Sequence, residues 1–599
     1  MRSALINRLS SPYASTLIIL IALALTASSL TTGLVADDYY HKLVLTGVGD
    51  IPDIPTDPFE LFVWAKGDEK LARSFMETGM TGWWTDPGLV LAFWRPVTVL
   101  THWLDYHLWP QTPFLMHLQN LSWFAVALVV LWNLYIRLHF HTTGRWTAAL
   151  ALLMFAWDDA HGLTISWVAN RSALVAFTFA LLALLLYHRA RQQGCGASAI
   201  AAPLVFALAL GAGEISLGIC AYLFAYALFI DPSGWKKGLI HLSPYALVVL
   251  LWSGFYYLMG YGARASGLVI DPVREPTAYV LAVLERLPIL LLGQIAVPPT
   301  DLWEFYPALS RFLPFIVMAW ALFALAAVTL AIWPVIAREN TTRFWLCGGL
   351  LSALPACAQF PHDRLLLFIG IGLTAVLARF IAAFLDHEEW LARSALGKRG
   401  VGVVAGALIF LHLLLAPSML PFRARGPADI GRMIARADSS IDDSPAVREK
   451  SVILINPPVD ALAGYIPTLR AATGRNRPKH LRWLATGACD LEIKRLDSRT
   501  LRVKPTEGFL FLASERMQRN PRNRMGVGYT VAFSDLQIRV ERLTSDARPA
   551  EITATFHRAL EDRRYEFLKW SREGFVRFDL PEIDETVKIK AVDFISLLK

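Results

Sequence analysis

The chain has 599 residues, 55% of them hydrophobic and 18% charged, with a formal net charge of +8 and a mean hydropathy of +0.42. A soluble protein of this size carries about 25% charged residues, so the composition excludes a wholly soluble protein and places most of the chain in the bilayer class. Residues 421–599 hold 32 Lys/Arg and 24 Asp/Glu, whereas residues 1–420 hold 25 of each, so the positive excess lies entirely in the last third.

Taken in chain order, Arg2 and Arg8 precede the run TLIILIALALTA, and the apolar stretch continues to about Val35. It reads as an uncleaved first span rather than a removed signal. A spanning helix needs about 20 apolar residues. Candidate spans are 14–35, 114–136, 146–161, 166–187, 198–213, 216–231, 240–260, 313–336, 343–359, 365–385 and 401–420. Arg2/Arg8, Arg137/Arg145, Arg189/Arg191, Lys236/Lys237, Arg338/Arg343 and Arg393/Lys398/Arg399 then share one side, which the positive-inside rule makes cytoplasmic. The opposite side receives 36–113 and the C-terminal segment, provided that 277–297, with Glu285 and Arg286 in mid-run, stays there as an interfacial or re-entrant helix.

The first outer loop, 36–113, has 11 Asp/Glu against 5 Lys/Arg and is rich in tryptophan, which suits short interfacial helices. From Pro421 onward the apolar stretches are short and often alternate: SVILIN (451–456), GFLFLA (508–513), YTVAFSDLQIRVERL (529–543), AEITATFH (550–557) and TVKIKAVDF (586–594). They predict a soluble, β-rich α+β domain with a helix near 428–437. Its basic charge suits anionic lipids, phosphorylated glycans or nucleic acid, and equally an ordinary solvated surface. Cys195, Cys220, Cys347, Cys357 and Cys489 form no CxxC and no zinc spacing, so they define neither a disulfide framework nor a metal site.

Three groups of residues carry chemistry. Ala36-Asp37-Asp38-Tyr39-Tyr40-His41 puts two adjacent carboxylates directly after the first span. Charges at a membrane boundary are costly and are either functional or well hydrated; a partly desolvated one makes a general base for an acceptor hydroxyl. Next comes Phe93-Trp94-Arg95-Pro96-Val97, then Thr101–Tyr106, then Pro113–Asn120. An arginine beside interfacial aromatics suits a phosphate, and His117 and Asn120 share a helix face, ready for a substrate or for each other. Third, Asp158-Asp159 with His161, Trp167–Arg171, Glu214, and Phe360-Pro361-His362-Asp363-Arg364 all fall at outer ends of spans. Singly each is a local ion pair or a snorkelling arginine; their convergence on one side suggests a shared polar cavity.

A first span ending in Asp-Asp-aromatic, an Arg-Pro loop and then P-x-x-x-H-x-x-N resembles the GT-C superfamily of membrane glycosyltransferases, and within it the protein O-mannosyltransferase-like branch with its bacterial relatives. Ile165–Leu174 is similar to that branch's v-x-W-v-x-x-R-x-x-L stretch, and Phe360–Leu365 to its late arginine-bearing motif. The resemblance covers roughly residues 14–385. It implies a GT-C-like all-α membrane domain of about eleven spans and a polyprenyl-phosphate sugar as donor. Asp37 becomes the candidate base, with Asp38 beside it, and Arg95, Arg171 and Arg364 the donor-phosphate candidates. His41, His117, Asn120, Asp159, Glu214 and His362 become candidates to line the substrate site. The chain has Asp-Asp where Asp-Glu is commoner, leaving open which carboxylate is the base. It shows no tetratricopeptide or MIR-type module, which weighs against protein O-mannosylation.

The expectation is therefore a membrane domain over 1–420, with the catalytic motif in loop 36–113, and a periplasmic domain of unknown role over 421–599. The implied activity is an inverting glycosyl transfer on the outer face of a bacterial inner membrane. The expected partners are a lipid-linked donor and a glycan, lipid or protein acceptor, without nucleic acid. No cofactor is implied, and no divalent metal, because a lipid-monophosphate donor does not demand one and the acidic residues lack a ligand pattern. Two alternatives stay open. A flippase of lipid-linked glycan predicts inverted repeats, which the sequence does not show; an inactive scaffold whose basic tail binds envelope glycans predicts dispensable carboxylates.

Overall fold

The computed structural model describes residues 2–392, 394–572 and 574–593; Arg393 and the last residue of the expected strand 586–594 lie outside these. The chain folds as two compact units. The first comprises residues 1–33, 95–256 and 270–427, the second residues 34–94, 257–269 and 428–599. The linear division expected at 420/421 falls inside the helix Ala416–Arg423, and the loop after the first span groups with the C-terminal segment.

The first unit is helical. Among the described residues, eight helices are long and apolar enough to cross a membrane: Ala14–Thr31, Pro113–Leu138, Val168–Gln193, Trp235–Leu258, Pro276–Ile295, Leu313–Arg338, Leu367–Leu385 and Ala395–Ser439, the last continuing beyond the unit; Arg145–Ala156, Gly196–Ala212 and Glu214–Phe229 are shorter and apolar. This makes the chain a multi-pass membrane protein. Burial sorts the helices. The apolar window of Leu367–Leu385 is 94% buried and that of Val168–Gln193 83%, against 11% for Trp235–Leu258 and 28% for Leu313–Arg338. The first pair forms the centre of the bundle, and the second presents apolar side chains outward, as a lipid-facing helix does. Small residues let the central helices approach closely: a side chain on Gly372 would strike the Trp345 carbonyl, and one on Gly348 the Tyr222 ring. Glycine at such crossings is the usual device where backbones meet within a membrane.

One expected span differs, and 277–297, expected as an interfacial or re-entrant helix, has the length and hydropathy of a span. The run 146–161 is a helix only over Arg145–Ala156, about 18 Å of rise against a hydrocarbon core of about 30 Å. It is followed by the 3-10 turn Asp159–His161, because an unbroken helix would carry the two carboxylates into the apolar core. Residues 277–297 form the 20-residue helix Pro276–Ile295. Its mid-run charges have partners: Trp303 Nε1 donates to Glu285 at 3.3 Å and Arg286 to the Cys357 carbonyl at 3.1 Å.

Among its described residues the second unit holds three sheets. Strands β1 (Val63–Lys66), β2 (Val90–Ala92) and β3 (Gly262–Arg264) pair antiparallel in that order. Strands β4 (Ser451–Leu454) and β5 (His480–Trp483) join β11 (Tyr565–Ser571) and β12 (Gly574–Arg577) in the order β12-β11-β4-β5, with β11, β4 and β5 parallel. The six-stranded antiparallel sheet runs β13-β6-β7-β10-β9-β8, from β6 (Leu491–Arg495), β7 (Thr500–Pro505), β8 (Thr530–Ala532), β9 (Leu536–Leu543), β10 (Pro549–Phe556) and β13 (Thr586–Ile589). Strand β4 is buried along its whole length, as parallel strands covered on both faces are; β9 alternates buried and exposed, as a sheet with one wet face does. The expected strand 508–513 is not a strand. Gly508 and Leu510 have positive φ, and the Phe511 N–H donates to Glu515 at 2.6 Å rather than to a neighbouring strand. The helix expected near 428–437 spans Gly426–Ser439.

Candidate functional site

In the second unit Asp37 and Asp38 open the helix Asp37–Thr46, where the helix dipole favours negative charge. The preceding residue, Ala36, holds φ +53° and ψ −117°, a conformation costly for any residue with a Cβ and one that concentrates at functional sites. The two carboxylates are not equivalent. Asp38 is 1% exposed, and its Oδ2 accepts the Val35 N–H at 2.9 Å, reaching back three residues as the acidic partner of a capping box does. Asp37 is half-buried, and its Oδ1 accepts the Tyr465 hydroxyl at 2.8 Å. Tyr465 sits on the helix Asp460–Thr473 of the C-terminal segment.

His41 follows one turn later and is 1% exposed. It lies edge-on to Phe62 with centroids 5.0 Å apart and within 6.4 Å of Trp64. Tyr40 stacks on Trp64 and donates its hydroxyl to the Val63 carbonyl at 2.6 Å. This aromatic packing ties the carboxylate-bearing helix to β1.

Also in this unit, Glu77, His480 and Asp535 bring ligand-type atoms within 4.8 Å of one another. Arg482 already lies between the carboxylates, bonded to Glu77 and to Asp535 Oδ1 at 2.9 Å. A divalent ion would have to displace that guanidinium, so the group reads as a neutralised ion cluster pinning helix Glu69–Thr78 to β5.

In the first unit Arg171 and Asp105 meet at 2.5 Å with neither side chain exposed. Arg171 also donates to Asn120 Oδ1 at 2.6 Å, to the Met116 carbonyl at 2.9 Å and to the Thr101 carbonyl at 3.2 Å. Asn120 donates in turn to the carbonyls of Ile165 and Trp167. These contacts clasp the helices Pro96–Leu108, Pro113–Thr143 and Arg171–Gln193 together. A phosphate could reach Arg171 only by displacing buried protein acceptors. His117 places Nε2 at 2.9 Å from the Gly33 carbonyl and 3.0 Å from Thr32 Oγ1, which fixes the end of the first apolar helix.

Arg95 pairs with Glu214 at 2.8 Å and donates to Ser172 at 3.3 Å, and Tyr256 donates to the other Glu214 oxygen at 2.5 Å. Both charged side chains keep about a fifth of their surface exposed. A larger polar cluster joins the ends of several helices. Asp301 accepts from Arg423 at 2.9 Å and from the Asp363 N–H at 2.7 Å, and lies 2.9 Å from His362 Nδ1. Asp363 accepts from Arg423 and from both Thr300 donors; Asp158 accepts from Gln294 at 2.5 Å. Burial, and then the neighbouring Asp159, push the Asp158 carboxyl far up; Asp159 and Asp363 are raised too, burial again leading. Burial opposes ionisation of Asp301 as well, but His362 and Arg423 outweigh it and hold that group low. Arg364, half-buried on the turn Asp363–Leu365, follows in the chain.

No protein-family model matches the chain, and no curated protein matches it. Among solved structures it aligns with the Archaeoglobus fulgidus oligosaccharyltransferase tethered with an acceptor peptide, at 11% identity and a TM-score of 0.40, covering 80% of this chain and 64% of that one. It also aligns with ArnT from Cupriavidus metallidurans bound to undecaprenyl phosphate, at 12% identity and a TM-score of 0.35, covering 79% of this chain and 90% of that one. The chain spans just under two thirds of the oligosaccharyltransferase. Alignments at these identities and TM-scores establish neither a shared fold nor a shared activity.

The structure thus sorts the sequence-derived candidates by unit. Asp37, Asp38 and His41 belong to the second. Arg95, His117, Asn120, Asp159, Arg171, Glu214, His362 and Arg364 belong to the first, where Glu214 neutralises Arg95, Asn120 supports Arg171, and Asp159 and His362 join the carboxylate cluster. Sequence reasoning missed Asp301, Arg423 and Tyr465. Arg423 had a signal, as a basic residue directly after the last apolar run. Tyr465 had none: it is one aromatic in an ordinary helix, placed beside Asp37 only by folding.

Proposed function

We propose that the chain is a membrane glycosyltransferase that moves a sugar from a polyprenyl-phosphate carrier to an acceptor hydroxyl. The observation carrying this reading is the division of labour between the two carboxylates. Asp38 is buried and bonded to the backbone, whereas Asp37 is half-buried, accepts the Tyr465 hydroxyl and is preceded by a strained residue. A half-buried carboxylate at a helix start directly after an apolar helix is suited to take a proton from an incoming hydroxyl.

In the proposed step the acceptor oxygen attacks the anomeric carbon while its proton passes to Asp37. A new C–O bond forms on the face opposite the carrier, the bond from the anomeric carbon to the phosphate oxygen breaks, and the carrier phosphate leaves with the electron pair. The sugar inverts, and Asp37 returns its proton to water. Arg364 is the candidate in the first unit for the carrier phosphate, and Arg95 a second, if phosphate competes with Glu214. Arg171 is assigned to holding the bundle. The step as written uses protein carboxylate and guanidinium groups and needs no metal. The proposed setting is a bacterial inner membrane, with the N-terminus cytoplasmic and the second unit periplasmic; the basic side assigned from Lys/Arg placement supports it.

The test is to delete the gene in its host and restore it as wild type or as Asp37→Asn. Envelope glycans and glycoproteins are then compared by mass spectrometry. Loss of a single-sugar increment that only wild type restores is the expected result and names both sugar and acceptor. Restoration by both versions would overturn the reading and leave transport or scaffolding.

A further inference from the structure

We propose that Tyr465, on the C-terminal segment, is a positioning residue for Asp37, so that this segment completes the catalytic site rather than merely following it. The inference rests on the reading of Asp37 as the base. Its hydroxyl donates to Asp37 Oδ1 at 2.8 Å, which fixes the carboxylate rotamer about Cα–Cβ–Cγ and favours the ionised form.

The contact belongs to a built arrangement. Helix Asp460–Thr473 lies along helix Asp37–Thr46, with Leu43 and Ile51 packed on Ala471 and Ala472. Tyr465 and Ala471 are six residues apart, as are Asp37 and Leu43, a rise of about 9 Å on each helix. Arg477 then bonds Asp50 at 2.7 Å, and a side chain on Gly49 would strike Leu43. Tyr465 is thus held on Asp37 by apolar packing and by an ion pair between the segments that follow the two helices. Burial, and then Asp37 itself, keep the Tyr465 phenol well above its ordinary range, so it remains a donor at every physiological pH. Titratable groups around the pair include Asp38, Tyr39, Tyr40 and His41 on the helix of Asp37, Asp460 on that of Tyr465, and Glu60 on the turn Pro58–Glu60 packed against the former.

The experiment uses the full chain in its host. After induction of wild type, Asp37→Asn, Tyr465→Phe or Tyr465→Ala, the initial rate of appearance of the sugar increment is followed by mass spectrometry in media buffered from pH 5.5 to 8, with protein level measured alongside. Tyr465→Phe keeps the ring and its packing. It should accumulate to wild-type level, lose about tenfold in rate, the loss expected for one hydrogen bond to a charged group, and shift the acid limb of the pH–rate curve to higher pH. A Tyr465→Phe rate and acid limb equal to wild type, with Asp37→Asn inactive, would overturn the positioning role and leave the base assignment standing. A pH-independent loss matched by lower protein level would make Tyr465 structural only and equally overturn it. Restoration by Asp37→Asn would remove the base, and this inference with it.

Discussion

Arg171 and Asp105 form an ion pair at 2.5 Å that solvent does not reach at either end. An isolated charge so placed costs several kcal/mol, and the pair persists because the guanidinium also serves Asn120 and two backbone carbonyls while Trp109 Nε1 donates to Asp105 at 3.0 Å. Removing one partner is then far worse than removing both.

Arg171→Ala should accordingly lower stability by about 3–5 kcal/mol, read as loss of folded protein in thermal or denaturant melting of the detergent-solubilised chain. Arg171→Met combined with Asp105→Leu should recover most of that loss. A stable Arg171→Ala protein that fails only in donor binding would return Arg171 to the phosphate-binding role.

The two adjacent carboxylates should separate by phenotype. Asp37→Asn is expected to melt within a degree or two of wild type and to have no transfer activity. Asp38→Asn disturbs a buried acceptor of the Val35 N–H, and so should cost about 1–3 kcal/mol of stability while keeping measurable transfer. An inactive Asp38→Asn beside an active Asp37→Asn would exchange the roles.

What the sequence discloses and what it hides divide along physical lines. Apolar length and charge placement are local, so the spanning helices were legible; so were the alternating strands β9 and β10. The 508–513 stretch failed because hydrophobicity alone does not separate a strand from a buried loop; its positive-φ residues Gly508 and Leu510 are set by tertiary packing. The carboxylates stood out because charge after an apolar run is costly anywhere. Their difference did not: Asp38 is buried and Asp37 half-buried only because Val35 and Tyr465 meet them in space. Arg171 looked like a phosphate ligand for the same reason it is a clasp, since an arginine at a helix start satisfies whichever acceptors folding supplies.

Arg423 links Asp301 and Asp363, with Asp158 and Asp159 in the same cluster. Arg423→Gln removes the arginine that pairs with both carboxylates and should destabilise the protein by about 3 kcal/mol. Adding Asp363→Asn should recover part of this, with a coupling of about 1–3 kcal/mol between the positions in a double-mutant cycle. Strictly additive losses would show that Arg423 and Asp363 act independently.

Glu515 provides a pH test within the second unit. It is 3% exposed, accepts from Thr486 and from the Phe511 N–H, and is pushed up to about 7 by burial, with nearby Asp460 adding to the effect. An acid whose pKa is higher folded than unfolded binds more protons in the native state at intermediate pH. Its contribution is therefore fully present below the unfolded value of 4.5 and is lost as pH rises through about 7. The shift corresponds to a loss on the order of 3 kcal/mol between these limits. Glu515→Gln stays neutral throughout, so its melting temperature should fall less than that of wild type between pH 5 and pH 8. The variant should be the more stable protein at pH 8 only if the glutamine amide finds an acceptor where Phe511 now donates; the difference in slope holds in either case. Parallel melting curves for the two proteins across this range would mean that Glu515 is ionised in the folded state well below pH 7, and that Thr486 and Phe511 stabilise its charge more than burial opposes it.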